Sequence, residues 1–167
     1  MSSKPEEEPA TPVDPLLLRR TCARFATGVT IVTTLDAIGH PHGMTVNSFA
    51  SVSLDPPLVL VSIDLKNAIL GHFLTSSSFA VNILSEQQAE VSRRFSSAAE
   101  DRFRAVPWRN GVTGAPILQG ALATLECSLA QTLEAGDHII LIGSVRHAQV
   151  GDGRPLVFFN SAYVRIA

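Results

Sequence analysis

The chain has 167 residues with 13 Lys and Arg against 15 Asp and Glu, a formal charge of -2 and a pI near 6.2, so charge offers no case for nucleic acid or an anionic membrane as partner. The length fits one domain that buries its core without covalent staples. A hydrophobic content of 46% with mean hydropathy +0.23 predicts a generous core and a further apolar face covered by another subunit.

Residues 1 to 13 hold Glu6, Glu7, Glu8, Pro5, Pro9 and Pro12 and too few apolar groups to order themselves, which predicts a tail ahead of a domain over 14–167. Asp14 followed by Pro15 reads as a helix start, a side-chain cap with proline at the first helical position. Leu16, Leu17, Arg20, Ala23, Arg24 and Ala26 carry that helix to Gly28, and packing is reason enough for it. Val29 to Thr34 is rich in β-branched residues and predicts the first strand, followed by a connection from Asp36 to His42 and a hairpin partner.

Residues 43 to 57 are written unusually for a strand and loop. Thr45, Asn47, Ser48, Ser51 and Ser53 alternate with Met44, Val46, Phe49, Val52 and Leu54 before Pro56 and Pro57. Short polar side chains compete for backbone hydrogen bonds and favour turns, and their small size leaves N–H groups free to face a ligand. A polar, planar cofactor edge suits such a surface, and so does a plain Ser/Thr-rich strand and turn on a barrel.

Leu58 to Asp64 is an almost continuous apolar run and predicts a buried strand. Asn67 then caps a short helix over Ala68 to Leu74, and Phe79 to Leu84 is a further strand. Ser85-Glu86-Gln87-Gln88 has the order of a capping box and opens a helix through about Phe95. Residues 96 to 119, with Pro107, Trp108, Gly111, Gly114 and Pro116, predict a long loop that is functional or covers a subunit. From Ala121 to Glu134 apolar residues alternate with polar ones, giving a long half-exposed antiparallel strand. Gly136-Asp137-His138 turns the chain, Ile139 to Val150 returns, Gly151-Asp152-Gly153 turns again, and the rest is extended. Strands at short spacing with two or three helices inserted predict a mainly β protein, a closed or partly closed barrel.

Cys22 and Cys127 are the only cysteines and form no CxxC, so neither a disulfide framework nor a zinc site is indicated and a reducing compartment follows. No apolar stretch reaches the roughly 18 residues of a spanning helix and no signal-peptide order opens the chain, which predicts a soluble cytoplasmic protein without membrane partners. The sequence lacks the glycine-spaced dinucleotide fingerprint, the phosphate-binding P-loop and the Gly-x-Ser-x-Gly elbow. His40 and His42 would share a face on a strand, as some metal sites need, but with no third ligand nearby in sequence the expectation is a solvated loop and no metal.

Five segments in order resemble a known family: residues 26–34 (ATGVTIVTT), the stretch from His42 to Pro57, residues 80–84 (AVNIL), Arg93-Arg94-Phe95, and residues 136–145 (GDHIILIGSV). They are similar to the short-chain flavin reductases that serve two-component monooxygenases, and the likeness runs from about Leu16 to Tyr163. The resemblance implies a split β-barrel with a Greek-key core, a homodimer, FMN or FAD near the subunit interface, NADH or NADPH as hydride donor, and a flavin-dependent monooxygenase that receives reduced flavin.

Carried over by position, it implies that Thr45, Val46, Asn47 and Ser48 line the isoalloxazine edge, that Ser62, Lys66 and Asn67 lie near the ribityl and phosphate region, and that Ala80 and Asn82 complete that wall. Arg94, with Arg93 beside it, is the implied phosphate ligand, because guanidinium is a planar fork of donors; both arginines could equally be the exposed face of their helix. His138 is implied to meet the nicotinamide where it stacks on flavin, with Asp137 orienting its ring. Trp108 and Tyr163 could stack on a ring or pack the core. Two other readings of the same barrel stay open: a flavoprotein that keeps its flavin and acts on an organic substrate, and a non-catalytic flavin-binding barrel.

Overall fold

The computed structural model describes residues 12–99 and 101–166. In chain order the elements are α1 (Pro15–Cys22), β1 (Thr27–Gly28), β2 (Thr30–Leu35), β3 (Pro41–Val46), β4 (Ala50–Leu54), β5 (Pro57–Asp64), α2 (Leu70–Thr75), β6 (Ser78–Ile83), α3 (Ala89–Ser96), β7 (Trp108–Asn110), β8 (Pro116–Leu118), β9 (Ala123–Ala135), β10 (His138–Val150), β11 (Val157–Phe159) and β12 (Ala162–Val164). The expected tail falls on residues 1–11, outside the described residues, and on the exposed Pro12 and Val13. No helix among the described residues is long and apolar enough to cross a membrane.

The protein is mainly β with few helices. Seven strands form one antiparallel sheet in the order β3-β2-β6-β9-β10-β5-β4. Its two edge strands, β3 and β4, are consecutive in sequence and joined only by Asn47, Ser48 and Phe49. The sheet therefore curls until its edges meet at a corner, without a ladder between β3 and β4. The long strands β9 and β10 join through Gly136, whose φ of +64° lies in the left-handed region that glycine enters without a Cβ penalty.

The curl explains the pattern of burial. Val32, Val61, Ile63, Phe79, Val81 and Leu141 point inward, and α2 closes one end with Leu70 and Phe73. A second cluster lies on the other face, where Ile31, Leu84, Phe95, Phe103 and Leu118 pack under α3 and the following segment. Alternate residues of β2 thus serve two cores, and a β-branched run reads as continuous because both of its faces are covered.

Several expectations change. The first helix begins at the Asp14 cap, whose carboxylate accepts from Leu16 N–H and Leu17 N–H at 3.3 and 3.2 Å, but it ends at Cys22, well before Gly28. Packing does not account for it within this chain, because it buries no residue and Leu16, Leu17 and Leu18 are all exposed. Asn67 accepts from Ile69 N–H in a turn that precedes α2, so the second helix starts at Leu70. Only Val59, Val61 and Ile63 of β5 are buried, because β5 lies next to the edge and shows its other face outward.

The expected long loop contains the β7–β8 hairpin, and this hairpin alters β9. Thr124 and Glu126, on the polar face expected to meet water, are buried. Glu126 Oε2 accepts from Thr113 N–H at 2.8 Å and Thr113 Oγ1 at 3.2 Å. A Cβ at Gly111 would collide with the Glu126 carboxylate, so glycine there lets the hairpin lie over it without displacing it. The Ser85 and Gln88 capping box forms as expected, through one 3₁₀ turn that leads into α3.

Asn82 fastens these layers. Fully buried on β6, it donates through Nδ2 to Ile31 O and Thr33 Oγ1, both at 3.1 Å, and accepts from Leu118 N–H at 2.8 Å. Asn82→Ala orphans a buried N–H and is expected to cost about 2–3 kcal/mol. Urea unfolding checks this through a lower midpoint at unchanged slope; an unchanged midpoint would remove Asn82 as the fastener.

Candidate flavin and nicotinamide site

The corner between β3 and β4 is the chemical focus. The N–H groups of Asn47, Ser48 and Phe49 find no acceptor among the described residues. A short chain segment held with several free N–H groups is a ready donor array for an electron-rich ligand edge. Beside it lies a cavity of about 220 Å³ lined by Val29, Thr45, Val46, Asn47, Ser96, Phe158 and Tyr163. Thr45 Oγ1 donates to Ser92 O at 2.7 Å, which ties β3 to α3, and Ser92 Oγ meets Tyr163 Oη at 2.7 Å. Tyr163 packs edge-on to Phe158 at 5.7 Å, and the Arg93 guanidinium sits 5.2 Å from the Tyr163 ring centre.

Ser48 connects this cavity to a second group of residues. Its Oγ donates to Ser62 O at 2.8 Å and accepts from Ser62 N–H at 3.2 Å, clasping the corner to β5. Along β5 the outward residues Leu60, Ser62 and Asp64 pair with Ile142, Ile140 and His138 of β10. Leu65 N–H donates to Asp137 O at 2.9 Å, so the turn carrying Lys66 lies against the β9–β10 turn. His138 is the first ladder residue of β10 rather than part of the turn, opposite Ala135 and Asp64, which fixes its backbone.

His138 Nδ1 stands 2.6 Å from Asp137 Oδ1. With Nδ1 donating, Nε2 is left as a free acceptor at the rim. The bond to His138, followed by that imidazole's charge, holds the Asp137 carboxyl below the ordinary range, with Lys66 adding to the effect. Burial pushes the Cys127 thiol up to about 12, so it is a core group and no nucleophile.

The residues expected to form one wall divide. Thr45, Val46, Asn47, Ser48, Ser62, Lys66, Asp137 and His138 run along the corner and rim; Val46 both lines the cavity and packs into the inner core, and the Asn67 side chain is spent on the Ile69 N–H. Ala80 and Asn82 do not join them: both are fully buried, Asn82 with its polar atoms bonded internally and Ala80 packed with Ala115 and Ile117. They support β2 and β8, and the alternation of Phe79, Val81 and Ile83 with the smaller Ser78, Ala80 and Asn82 gives no sign that the second face is covered as well. Arg94 donates to Arg104 O at 2.9 Å and, together with Arg93, lines a separate cavity with Glu90, Val91 and Val106. Arg93 is the arginine placed over Tyr163, and the last residues of the chain bring Tyr163 there through β12, a pairing no local pattern announces.

The His40 and His42 pair also divides. His40 contributes only main-chain groups among the described residues, its N–H donating to Asp36 Oδ1 at 2.8 Å and its O accepting from Asp36 N–H at 3.0 Å. His42 instead stacks on His72, 30 residues away in sequence, with Nε2 donating to Asp36 Oδ2 at 3.1 Å. That hydrogen bond, and then the N–H of His40, hold the Asp36 carboxyl down at about 2.

The family described as flavin reductase like domain matches residues 22–167. A probable flavin reductase of Rhizobium meliloti (strain 1021) is 50% identical over 132 residues, which is 79% of this chain but only 42% of that protein, so the chain spans less than half of that relative. The reductase subunit HsaB of a flavin-dependent monooxygenase from Rhodococcus jostii (strain RHA1) is 38% identical over 158 residues, covering 94% of this chain and 80% of that protein. Among solved structures, the Streptomyces globisporus C-1027 NADH:FAD oxidoreductase SgcE6, in complex with NAD and FAD fragments, superposes with a TM-score of 0.87 at 38% identity, over 95% of this chain and 98% of that one.

The Asp137 and His138 pair gives a pH-dependent prediction. A depressed carboxyl contributes stability that is present above its unfolded value, ordinarily 3.8, and is lost as pH falls below that value through the folded one. In His138→Ala the largest cause disappears, so carboxyl NMR is expected to show Asp137 titrating upward towards 3.8. An unmoved titration would mean that the imidazole does not hold the carboxylate.

Proposed function

The chain belongs to the flavin reductase-like family, and from that premise we propose that it is an NAD(P)H:flavin oxidoreductase supplying reduced flavin to a separate monooxygenase. The observation that carries this reading is the row of free N–H groups at Asn47, Ser48 and Phe49 beside an aromatic-walled cavity, one clasp away from the rim that holds His138. The residues present fit a flavin: donors for its polar edge, Tyr163 and Phe158 as an apolar wall with the Arg93 guanidinium over the Tyr163 ring, and Lys66 as a cation farther along the rim beside Asp137. Flavin, when bound, supplies the ring that accepts a hydride from reduced nicotinamide.

The chain's own residues do the rest. The corner amides would hold the polar edge of a flavin and would favour negative charge there, at little cost of reorientation because the bonds between Ser48 and Ser62 already fasten the corner. Asp137 fixes the His138 ring, and the free Nε2 faces the rim to receive the nicotinamide carboxamide or to carry a proton. None of these steps needs a nucleophile. Moderate flavin affinity suits release to a partner, and a corner of short polar side chains with one aromatic wall gives that.

The split-barrel homodimer belongs to the same proposal. On the outward face of the β4–β5–β10–β9 region, Leu60, Ile140 and Ile142 are half-buried while Val52 and Leu133 remain 48% and 51% exposed. Such an apolar strip beside the corner suits a second copy that covers it and encloses the flavin.

The test is an anaerobic assay of NADH and NADPH oxidation with FMN, FAD and riboflavin supplied in turn. Turnover is expected to require added flavin; no oxidation with any flavin would overturn the reading, and full turnover without added flavin would favour a retained cofactor. His138→Ala is expected to lower kcat/KM for the nicotinamide by about tenfold, the worth of one hydrogen bond, while flavin affinity stays within about twofold. Equal kinetics in the two proteins would take His138 out of the reaction.

A further inference from the structure

At the far end of the curled sheet, a cluster lies outside the site described above. Asp36 comes from the turn after β2, His42 from the start of β3 and His72 from α2, and their ligand atoms all lie within 4.8 Å of one another. His42 is four residues before Val46 along β3, roughly 13 Å at the rise of a strand, so the cluster is separate from the corner.

The Asp36 carboxylate is built to present one oxygen. Oδ1 is occupied by the N–H groups of Ile38 and His40 at 3.0 and 2.8 Å, which leaves Oδ2 facing His42 at 3.1 Å. The imidazoles of His42 and His72 lie face to face, 3.7 Å between centres and 11° from parallel. The His72 ring makes no hydrogen bond among the described residues, so it is free to turn about its Cβ–Cγ bond and bring a nitrogen towards the other two donors. All three side chains are half-buried, which limits competing water while leaving a route in. A cavity of about 340 Å³ opens on His42 and His72 and is also lined by Ile69 and Asp101, with room for a water as a fourth ligand and a further carboxylate nearby.

We propose that Asp36, His42 and His72 form a binding site for one divalent transition-metal ion of the zinc class. Two neutral imidazoles and one carboxylate are the donor set such ions take, and three protein ligands with an open fourth position is a common arrangement. The ion would enter between His42 Nε2 and Asp36 Oδ2, with His42 exchanging its Nε2 proton through solvent for one on Nδ1 so that it binds as a neutral imidazole, and would draw in the His72 nitrogen. The three donors sit on three elements, so the ion would fasten α2 to the β2–β3 hairpin. The expectation from the sequence that no third ligand stands by His42 fails because that ligand arrives from a helix 30 residues on.

The test is equilibrium dialysis of the whole chain, stripped with a chelator, against zinc, with metal read by elemental analysis and Tm followed in parallel. The expected result is one zinc ion per chain and a higher Tm with zinc. Affinity should fall about tenfold or more in both Asp36→Asn and His72→Ala, and remain unchanged in His40→Ala. Asp36→Asn is close in shape and His72 is half-buried, so both variants are expected to fold, and circular dichroism checks that they do. No zinc retained by the wild type, equal affinity in wild type and His72→Ala, or loss of binding in His40→Ala would overturn the site.

Discussion

One serine hydroxyl decides what the rest of the fold can present. Ser48 donates to the carbonyl of Ser62 and accepts from its N–H, so one side chain stands in for the ladder that β3 and β4 do not form. The sheet can then curl almost to closure and still leave three successive N–H groups without strand partners. A completed ladder would consume those donors. An unfastened corner would leave them mobile, and a donor that must be ordered on binding contributes less than one already in place.

The remaining layers serve that corner. The β2 strand is buried on both faces, so β3 has a rigid neighbour, and Asn82 joins β2 to the β7–β8 hairpin behind it. Thr45 ties β3 to α3, whose Ser92 in turn carries Tyr163 to the cavity. On the other side, the Leu65 N–H bond to Asp137 couples the corner's partner strand to the turn that aims His138. Positioning therefore passes through main-chain bonds and short polar side chains, the kind of framework that holds a planar ligand without a glycine-rich nucleotide fold.

Much of this is legible in the residues. The β-branched run of β2, the Asp14 cap, the Ser85 capping box and the Gly136 turn are local chemistry, and each forms where the sequence places it. What escapes local reading is which face an element will find covered. Alternation on β9 predicts water against Thr124 and Glu126, yet a hairpin inside an apparent loop lies over them because Gly111 leaves room for the carboxylate. Asn82 is placed at the flavin wall by the family resemblance alone, and it is found as an interior fastener with its side-chain polar atoms bonded within the protein. Tyr163 and His72 reach their neighbours through pairings of distant segments, which no window of sequence contains.

The most direct test of the corner is amide hydrogen exchange at Asn47, Ser48 and Phe49, measured with and without saturating FMN or FAD. These N–H groups have no acceptor among the described residues, so they are expected to exchange fast in the free protein and to slow markedly once flavin binds. Unchanged exchange at all three, with slowing elsewhere on the surface, would contradict a flavin held by the β3–β4 corner.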